Sequence, residues 1–185
     1  MKYHKARKLV VRQVWWPEPI FAYDIFWFSS LNTMYNIVLF NKDFNIKYIL
    51  SVLNSIFMKF YWKENFSDNK QLFPKIKWYQ LKQIPIKDIP LSEQTPFIEK
   101  ADFMLDKNKE LQEKINKFLK RLQSSFEIEK LSKKLEKFYE WEFSDFIKEL
   151  QKKKIVMSLN DQDEWEEYFD NYKKEIIELK NKIDN

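Results

Sequence analysis

Cationic and amide side chains gather near the start of the chain, in and before the stretch KLVVRQV. The cations nearest to this stretch are Lys5, Arg7, Lys8 and Arg12. Lysine and arginine neutralise nucleic-acid phosphates, and the resulting affinity falls as the salt concentration rises. Arg12 is followed by Gln13, and these residue types make bidentate contacts to guanine and adenine. All five are therefore candidate DNA contacts, and the alternative for Arg12 is a salt bridge at a strand edge, with Asp24 as its partner.

A second basic stretch, LFPKIKWYQLKQIPI, contains two prolines and no acidic residue. Lys75 and Lys77 alternate with Ile76 and Trp78, so both lysines share one face of an extended segment. One interpretation is a pair of phosphate contacts. The other is an edge strand whose lysines prevent aggregation with other chains.

The composition excludes several kinds of catalytic site. The 185 residues include no cysteine, no glycine and a single histidine, His4. Without cysteine there is no disulfide, thiolate metal site or cysteine nucleophile, and without glycine there is no P-loop, dinucleotide-binding fingerprint or nucleophile elbow. We expect neither a metal site nor a bound cofactor. The 44% hydrophobic content indicates a folded protein.

Charge divides the chain into two parts. Residues 1–90 carry 14 basic and 6 acidic side chains, whereas residues 91–185 carry 19 basic and 22 acidic ones. The first part is the candidate for binding a polyanion. The second part has the mixed charge of solvated helices. No signal peptide is apparent, and polar residues interrupt the most apolar stretch, so we expect a cytoplasmic protein with no membrane segment.

The elements of the first part are predicted from local patterns. Three strands are predicted at residues 7–14, 21–29 and 34–40, where β-branched and aromatic residues are bounded by charge or proline. A helix capped by Asn45 then follows, with apolar residues at helical spacing as far as Phe60. Short extended pieces are predicted around residues 75–78 and 83–86, because the nearby prolines oppose a helix.

The second part is predicted to be helical. Ser92 is the predicted N-cap of a helix of roughly eight turns, with Pro96 in its first turn. A second helical zone is predicted at residues 129–153. A last helix, capped by Asn160 or Asp161, carries an apolar seam with a and d spacing, made of Trp165, Phe169, Tyr172, Ile176, Leu179 and Ile183.

The predicted fold class is α+β, with a small mixed recognition domain at residues 1–90 and a helical spacer at residues 91–185. The two long helices should pack as an antiparallel pair within the chain. Pairing between two chains, giving a homodimer, is the alternative.

The order of these segments resembles a known family. KLVVRQV, FAYD, MYNIVLF, IKYILSVLNSIFMKFYW, LFPKIKWYQLKQIPI and LSEQTPFIEKADFML follow one another as in the TaqI-like C-terminal specificity domain of type IIG restriction–modification enzymes and adenine-specific DNA methyltransferases. The resemblance implies that the chain reads a DNA sequence. It also implies a partner, the catalytic methyltransferase or nuclease portion of the same system.

The catalytic motifs of that family are missing from the chain, which has no Asn-Pro-Pro-Tyr-like motif and no glycine-bearing cofactor loop. We therefore expect a specificity domain without enzymatic activity, a fragment of a longer enzyme or a split product. The alternative function is a helical protein–protein interaction module, or a half resembling a type I specificity subunit, with no DNA affinity of its own.

Overall fold

A computed structural model describes residues 7–14, 18–26, 32–66 and 74–184 of the chain. The chain divides into two compact units, Met1–Phe103 and Met104–Asn185. The unit limit lies inside a helix, thirteen residues beyond the composition change after Pro90. The observed elements agree with the predicted α+β class.

A three-stranded antiparallel sheet forms the centre of the first unit. Its strands are β1 (Lys8–Arg12), β2 (Phe21–Asp24) and β3 (Met34–Val38), in the order β2-β1-β3. Strand β1 pairs on both edges, and its Leu9 and Val11 are almost fully buried. Because successive side chains of a strand point to opposite faces, this pair fixes which face of the sheet meets the core. The predicted strands are confirmed and are shorter than expected.

Two helices follow the sheet where one was predicted. Helix α1 spans Ile46–Leu53, and Asn45 caps it by accepting a hydrogen bond from the Lys47 backbone, as predicted. Helix α2 spans Ile56–Phe66. The break falls at Asn54, whose side chain exchanges hydrogen bonds of 3.0 and 2.9 Å with the backbone of Phe21. An asparagine that serves strand β2 in this way terminates the helix.

The first unit closes on the start of a long helix, α4 (Leu91–Ser125), preceded by the short helix α3 (Trp78–Lys82). Gln94 is fully buried; its side chain accepts from the Asn45 backbone and donates to the carbonyls of Asp43 and Ile89. These bonds attach the turn before α1 to α4. The predicted N-cap at Ser92 is wrong, because the helix already begins at Leu91 and Pro96 lies inside it.

Tyr48 is another buried polar anchor of this unit. Its hydroxyl donates to the carbonyl of Lys87 at 2.7 Å, and its ring meets Phe97 edge-on. Burial raises the pKa of the Tyr48 hydroxyl, and the charge of Asp88 raises it further. The phenol therefore stays neutral and keeps its donor bond at physiological pH.

The second unit is an aromatic-rich helical core. It contains the end of α4, a 3₁₀ helix (Leu135–Glu140), α5 (Phe143–Gln151) and α6 (Leu159–Asp184). Phe118 lies at its centre, stacked on Phe138 with 3.7 Å between ring centroids. Phe126 contacts Trp165, and Lys114 pairs with Glu175, so α4 and α6 run antiparallel. This confirms the predicted pair within one chain.

The predicted helical zone at residues 129–153 is only partly correct. It is divided between the 3₁₀ helix and α5, and the backbone of Lys137 leaves helical geometry. Phe138 and Phe146 are both fully buried in the same core. A break between the two elements lets both rings enter it. The last helix begins at Leu159, because Ser158 rather than Asn160 or Asp161 caps it, through the bond from the Asp161 backbone to the Ser158 hydroxyl.

Two helices end in Schellman motifs without glycine. After α4, the Ile128 N–H donates to the carbonyl of Gln123, and after α5 the Ile155 N–H donates to that of Leu150. The residues at the turning points, Glu127 and Lys154, have φ values of 50° and 63°. This left-handed conformation is normally occupied by glycine. No helix in the described part of the chain is both long and apolar enough to span a membrane.

The Schellman positions predict a gain in stability on substitution. Glu127→Gly and Lys154→Gly should each raise the free energy of unfolding by about 0.5–1 kcal/mol, because glycine has no Cβ to strain a positive φ. Urea denaturation followed by circular dichroism measures the change. Lys117→Gly, at an exposed position inside α4, is the matched control and should lower stability by about 0.5–1 kcal/mol. Equal losses at all three positions would contradict this account.

Candidate nucleic-acid interface

The parity of β1 decides where its charged residues lie. Leu9 and Val11 face the core, so Lys8 and Arg12 lie on the opposite face of the sheet. Arg12 is exposed at the end of the strand. Asn36 of β3 pairs with Val10 in the register and is exposed on this same face. Arg12 and Asn36 are therefore diagonal neighbours, about 7–8 Å apart in such a pair of strands.

Lys8 has a different environment from Arg12, although it lies on the same face. Its side chain is 4% exposed and its ammonium lies 3.5 Å from the carboxylate of Asp24, the residue opposite in β2. The other oxygen of Asp24 accepts from the Phe26 backbone at 2.9 Å. The structure thus gives Lys8 an interior ion pair in place of the predicted phosphate contact. It also shows that the predicted partner of Arg12, Asp24, is used by Lys8.

Gln13 organises the end of β1. Its side-chain amide donates to the carbonyl of Asn32 at 2.8 Å, and its own N–H donates to that of Thr33. Its carbonyl accepts from the Ile76 N–H at 2.7 Å. The side chain suggested as an adenine contact is therefore bound to the backbone before β3 in this structure.

The second basic stretch is joined to the first by a β-bridge between Val14 and Lys75. Ile76 is 2% exposed, and Lys75 and Lys77 on either side of it are exposed. The two lysines therefore share one face, as the alternation predicts. The segment does not stay extended as far as Trp78, because a short helix begins there, so the predicted extended piece at residues 75–78 is only partly correct.

Helix α3 begins at Trp78 because Gln80 caps it. The Gln80 side chain accepts from the Lys77 N–H at 2.7 Å, and Gln80 itself is buried. The helix has only five residues and ends at Lys82, with Gln83 as its C-cap before Pro85. Proline therefore limits the length of this helix without preventing it.

The short helix places aromatic rings among the lysines. Trp78 and Tyr79 are 54% and 53% exposed. The ammonium of Lys82 lies 5.4 Å from the centroid of the Trp78 ring, and that of Lys77 lies 5.9 Å from the centroid of Tyr79. We call Lys75, Lys77, Trp78, Tyr79 and Lys82 the lysine–aromatic surface.

Sequence reasoning missed Trp78, Tyr79 and Lys82 as members of this site. The signal that could have found them is the KWYQLK spacing, which brings Trp78 and Lys82 together only on a helix. Tyr35 of β3 holds the surface in place, since its hydroxyl donates to the Ile76 carbonyl at 3.2 Å and its ring lies 6.1 Å from that of Trp78.

The lysine–aromatic surface has the chemistry of an anion-binding face. Three ammonium groups surround two exposed rings, and residues 74–87 contain no acidic side chain. Such groups bind phosphates, and the rings can pack on sugars or bases. Within the described ranges no three His, Cys, Asp or Glu side chains lie close enough to hold a metal ion.

The predicted contacts do not all meet at this surface. Arg7 lies beyond the opposite end of β1 from Arg12, and five residues of strand span about 17 Å. Arg7 lines a cavity there, together with Lys42 and Lys47. Lys5 lies outside the described residues. Arg7, Lys42 and Lys47 therefore lie near one end of the central strand, and Lys75 and Lys77 lie near the other.

Comparison with known proteins divides the chain into two parts. Residues 1–86 match the family model of the TaqI-like C-terminal specificity domain. Residues 90–185 match a domain of unknown function, DUF8810. No curated protein and no solved structure matches the chain.

The buried pair of Lys8 and Asp24 predicts a large loss of stability when one partner is removed. Lys8→Met should lower the free energy of unfolding by about 3–5 kcal/mol, because the Asp24 carboxylate then stays buried without its cation. Urea denaturation measures the loss. The double variant Lys8→Met/Asp24→Leu should regain most of it, since both charges are gone. A loss below about 1 kcal/mol for Lys8→Met would contradict the interior role.

Proposed function

Because the chain belongs to the DUF8810 family through residues 90–185 and carries a TaqI-like C-terminal specificity domain in residues 1–86, we propose that it reads a sequence in double-stranded DNA for a restriction–modification system. The family of the first part supports a role in DNA sequence recognition. The observation on this chain that carries the proposal is the lysine–aromatic surface beside the exposed end of β1.

Affinity in this proposal comes mainly from the lysines. Lys75, Lys77 and Lys82 contact phosphates and release condensed counterions, which makes binding sensitive to salt. Trp78 and Tyr79 pack against the sugars at the edge of a groove. Contacts of this kind position a protein on DNA without reading the sequence.

Sequence reading in this proposal falls to the exposed end of the sheet face that carries Arg12 and Asn36. Arginine pairs with the O6 and N7 atoms of guanine, and asparagine pairs with the N6 and N7 atoms of adenine. Arg12 and Asn36 offer these two groups as diagonal neighbours on β1 and β3. A β-sheet face can enter a groove of DNA in other proteins. We assign base contacts to Arg12 and Asn36 on this basis.

We propose further that the chain does not catalyse methylation or cleavage itself. A specificity domain directs a catalytic portion to its site, and here that portion would be a methyltransferase or nuclease of the same bacterial, cytoplasmic system. Residues 91–185 would then act as the spacer that docks on it. The apolar seam of α6 is covered by α4, the 3₁₀ helix and α5 within the chain. A homodimer would therefore need a different surface.

Neutralising two lysines tests the phosphate contacts. Lys75→Ala/Lys77→Ala should weaken binding of a mixed-sequence 20-base-pair duplex, and the slope of log affinity against log salt should fall by about 2, since each phosphate contact contributes about 0.9. Fluorescence anisotropy at several salt concentrations measures both. Lys63→Ala/Lys100→Ala removes the same charge from exposed positions on α2 and α4. The proposal fails if the two double variants behave alike.

Sequence reading needs a separate experiment. Selection from a pool of randomised duplexes should enrich one sequence with the parent protein. Arg12→Ala should lose preference at one guanine and weaken binding to the enriched duplex by roughly 5–150-fold, the effect of about 1–3 kcal/mol for a bidentate contact. Binding to unrelated duplexes should change little. Retention of the full preference by Arg12→Ala would remove this residue from the reading face.

A further inference from the structure

The cavity beyond the start of β1 is the second cationic feature of the first unit. It has a volume of about 530 Å³. Its walls carry three cations and two amides, from Arg7, Lys42, Lys47, Asn41 and Asn45. Phe40, Phe44 and Tyr23 add aromatic surface, and Phe40 is 74% exposed. We call this the basic cavity.

The register of the sheet creates the basic cavity. Lys8 pairs with Val38, so Arg7 emerges beside the residues that follow β3. The chain then turns and enters α1, whose first residues form another wall. The buried Gln94 holds this turn through its bonds to Asp43 and Asn45. The cavity thus rests on a fixed backbone.

The charges of the basic cavity are those of an anion site. No acidic side chain is among its lining residues. Lys47 is already paired with Asp102 of α4, which fixes its position. Arg7 and Lys42 are both exposed, and neither is within ion-pairing distance of a carboxylate in the described part of the chain. Asp43 follows Lys42 in the turn but does not line the cavity.

We propose that the basic cavity binds a phosphate of the same DNA duplex that lies on the lysine–aromatic surface. This inference rests on the proposed DNA-binding function and adds a second contact point to it. The two ends of β1 are about 17 Å apart, which corresponds to about five base pairs at 3.4 Å each. Tyr23 in the cavity wall is opposite Leu9, and Tyr35 beside Trp78 is opposite Val11, so both sites adjoin the core side of the sheet and not the side of the Arg12 side chain. A duplex that spans from the lysine–aromatic surface to Arg7 and Lys42 would therefore cover about five base pairs.

The ligand class follows from the cationic and aromatic side chains that line the basic cavity. Phosphate oxygens suit the guanidinium of Arg7, which can bind them with two parallel bonds. A free nucleotide offers the same phosphate chemistry, and the aromatic walls could hold its base. The duplex is favoured because a second cationic face already lies at the other end of the strand. Deoxyadenosine monophosphate serves as the probe for the other source.

The experiment compares Arg7→Ala/Lys42→Ala with the parent and with Lys63→Ala/Lys100→Ala, all as the full chain. The probe is the duplex enriched from the randomised pool, measured by anisotropy. The cavity variant should bind it roughly tenfold or more weakly, with a salt slope lower by about 1–2. Circular dichroism and thermal melting check that the fold is kept, and Lys42→Ala alone should show about half of the change in slope.

Shortening the duplex gives the more specific readout. Removing about five base pairs from the end that reaches the cavity should weaken the parent to the level of the cavity variant, while the variant itself changes little. This non-additivity is expected when the two changes remove one contact. Equal weakening of both proteins by the shorter duplex would overturn the proposal.

The remaining outcomes separate this inference from the proposed function. If Lys75→Ala/Lys77→Ala weakens duplex binding and the cavity variant binds like the parent, the cavity proposal is overturned and the function stands. If the parent binds no duplex at low salt, both fall. If deoxyadenosine monophosphate binds the parent, the cavity variant loses that binding and its duplex affinity is unchanged, the cavity serves a free nucleotide and the duplex assignment is wrong.

Discussion

The pairing of β1 on both edges is the constraint on which the first unit depends. Leu9 and Val11 must face the core, and the period of two in a strand then places Lys8, Val10 and Arg12 on the other face. A shift of the register by one residue would reverse both faces. The buried pair of Lys8 and Asp24 joins β1 and β2 at one pair of opposite residues, and it makes such a shift costly by separating a buried charge from its partner.

The sequence predicted elements whose signals are local. The three strands, the Asn45 cap and the apolar stripes of α4 and α6 all follow from spacing and capping rules, and the structure contains them. Two of the features that it missed depend on residues distant in the chain. Nothing in the sequence near Lys8 distinguishes it from an exposed lysine, because its burial depends on pairing with Asp24 of β2. The break at Asn54 depends on the backbone of Phe21. The rule that opposes a helix near proline did not foresee Gln80 as a cap.

In the candidate site too, the residues that depend on local patterns were predicted and those that depend on the fold were missed. Alternation around Ile76 was enough to place Lys75 and Lys77 on one face, because it depends only on neighbouring residues. The aromatic members appear only when α3 forms, and Asn36 only when β3 has its register. Net charge showed that the first ninety residues are basic, but it could not show that Arg7 and Lys42 lie near one end of β1 while Lys75 and Lys77 lie near the other. Surface chemistry of this kind therefore needs the topology as well as the composition.

The buried amide of Gln94 has a consequence for how specificity parts can be exchanged between proteins. The family match for the first part ends at residue 86, yet Gln94 and Ala101 of α4 are buried in the unit that ends at Phe103. A transplanted segment cut at the edge of the sequence match would lack the side chain that satisfies the turn between β3 and α1. An exchange that keeps the first unit folded must therefore carry the first three turns of the long helix together with the sheet.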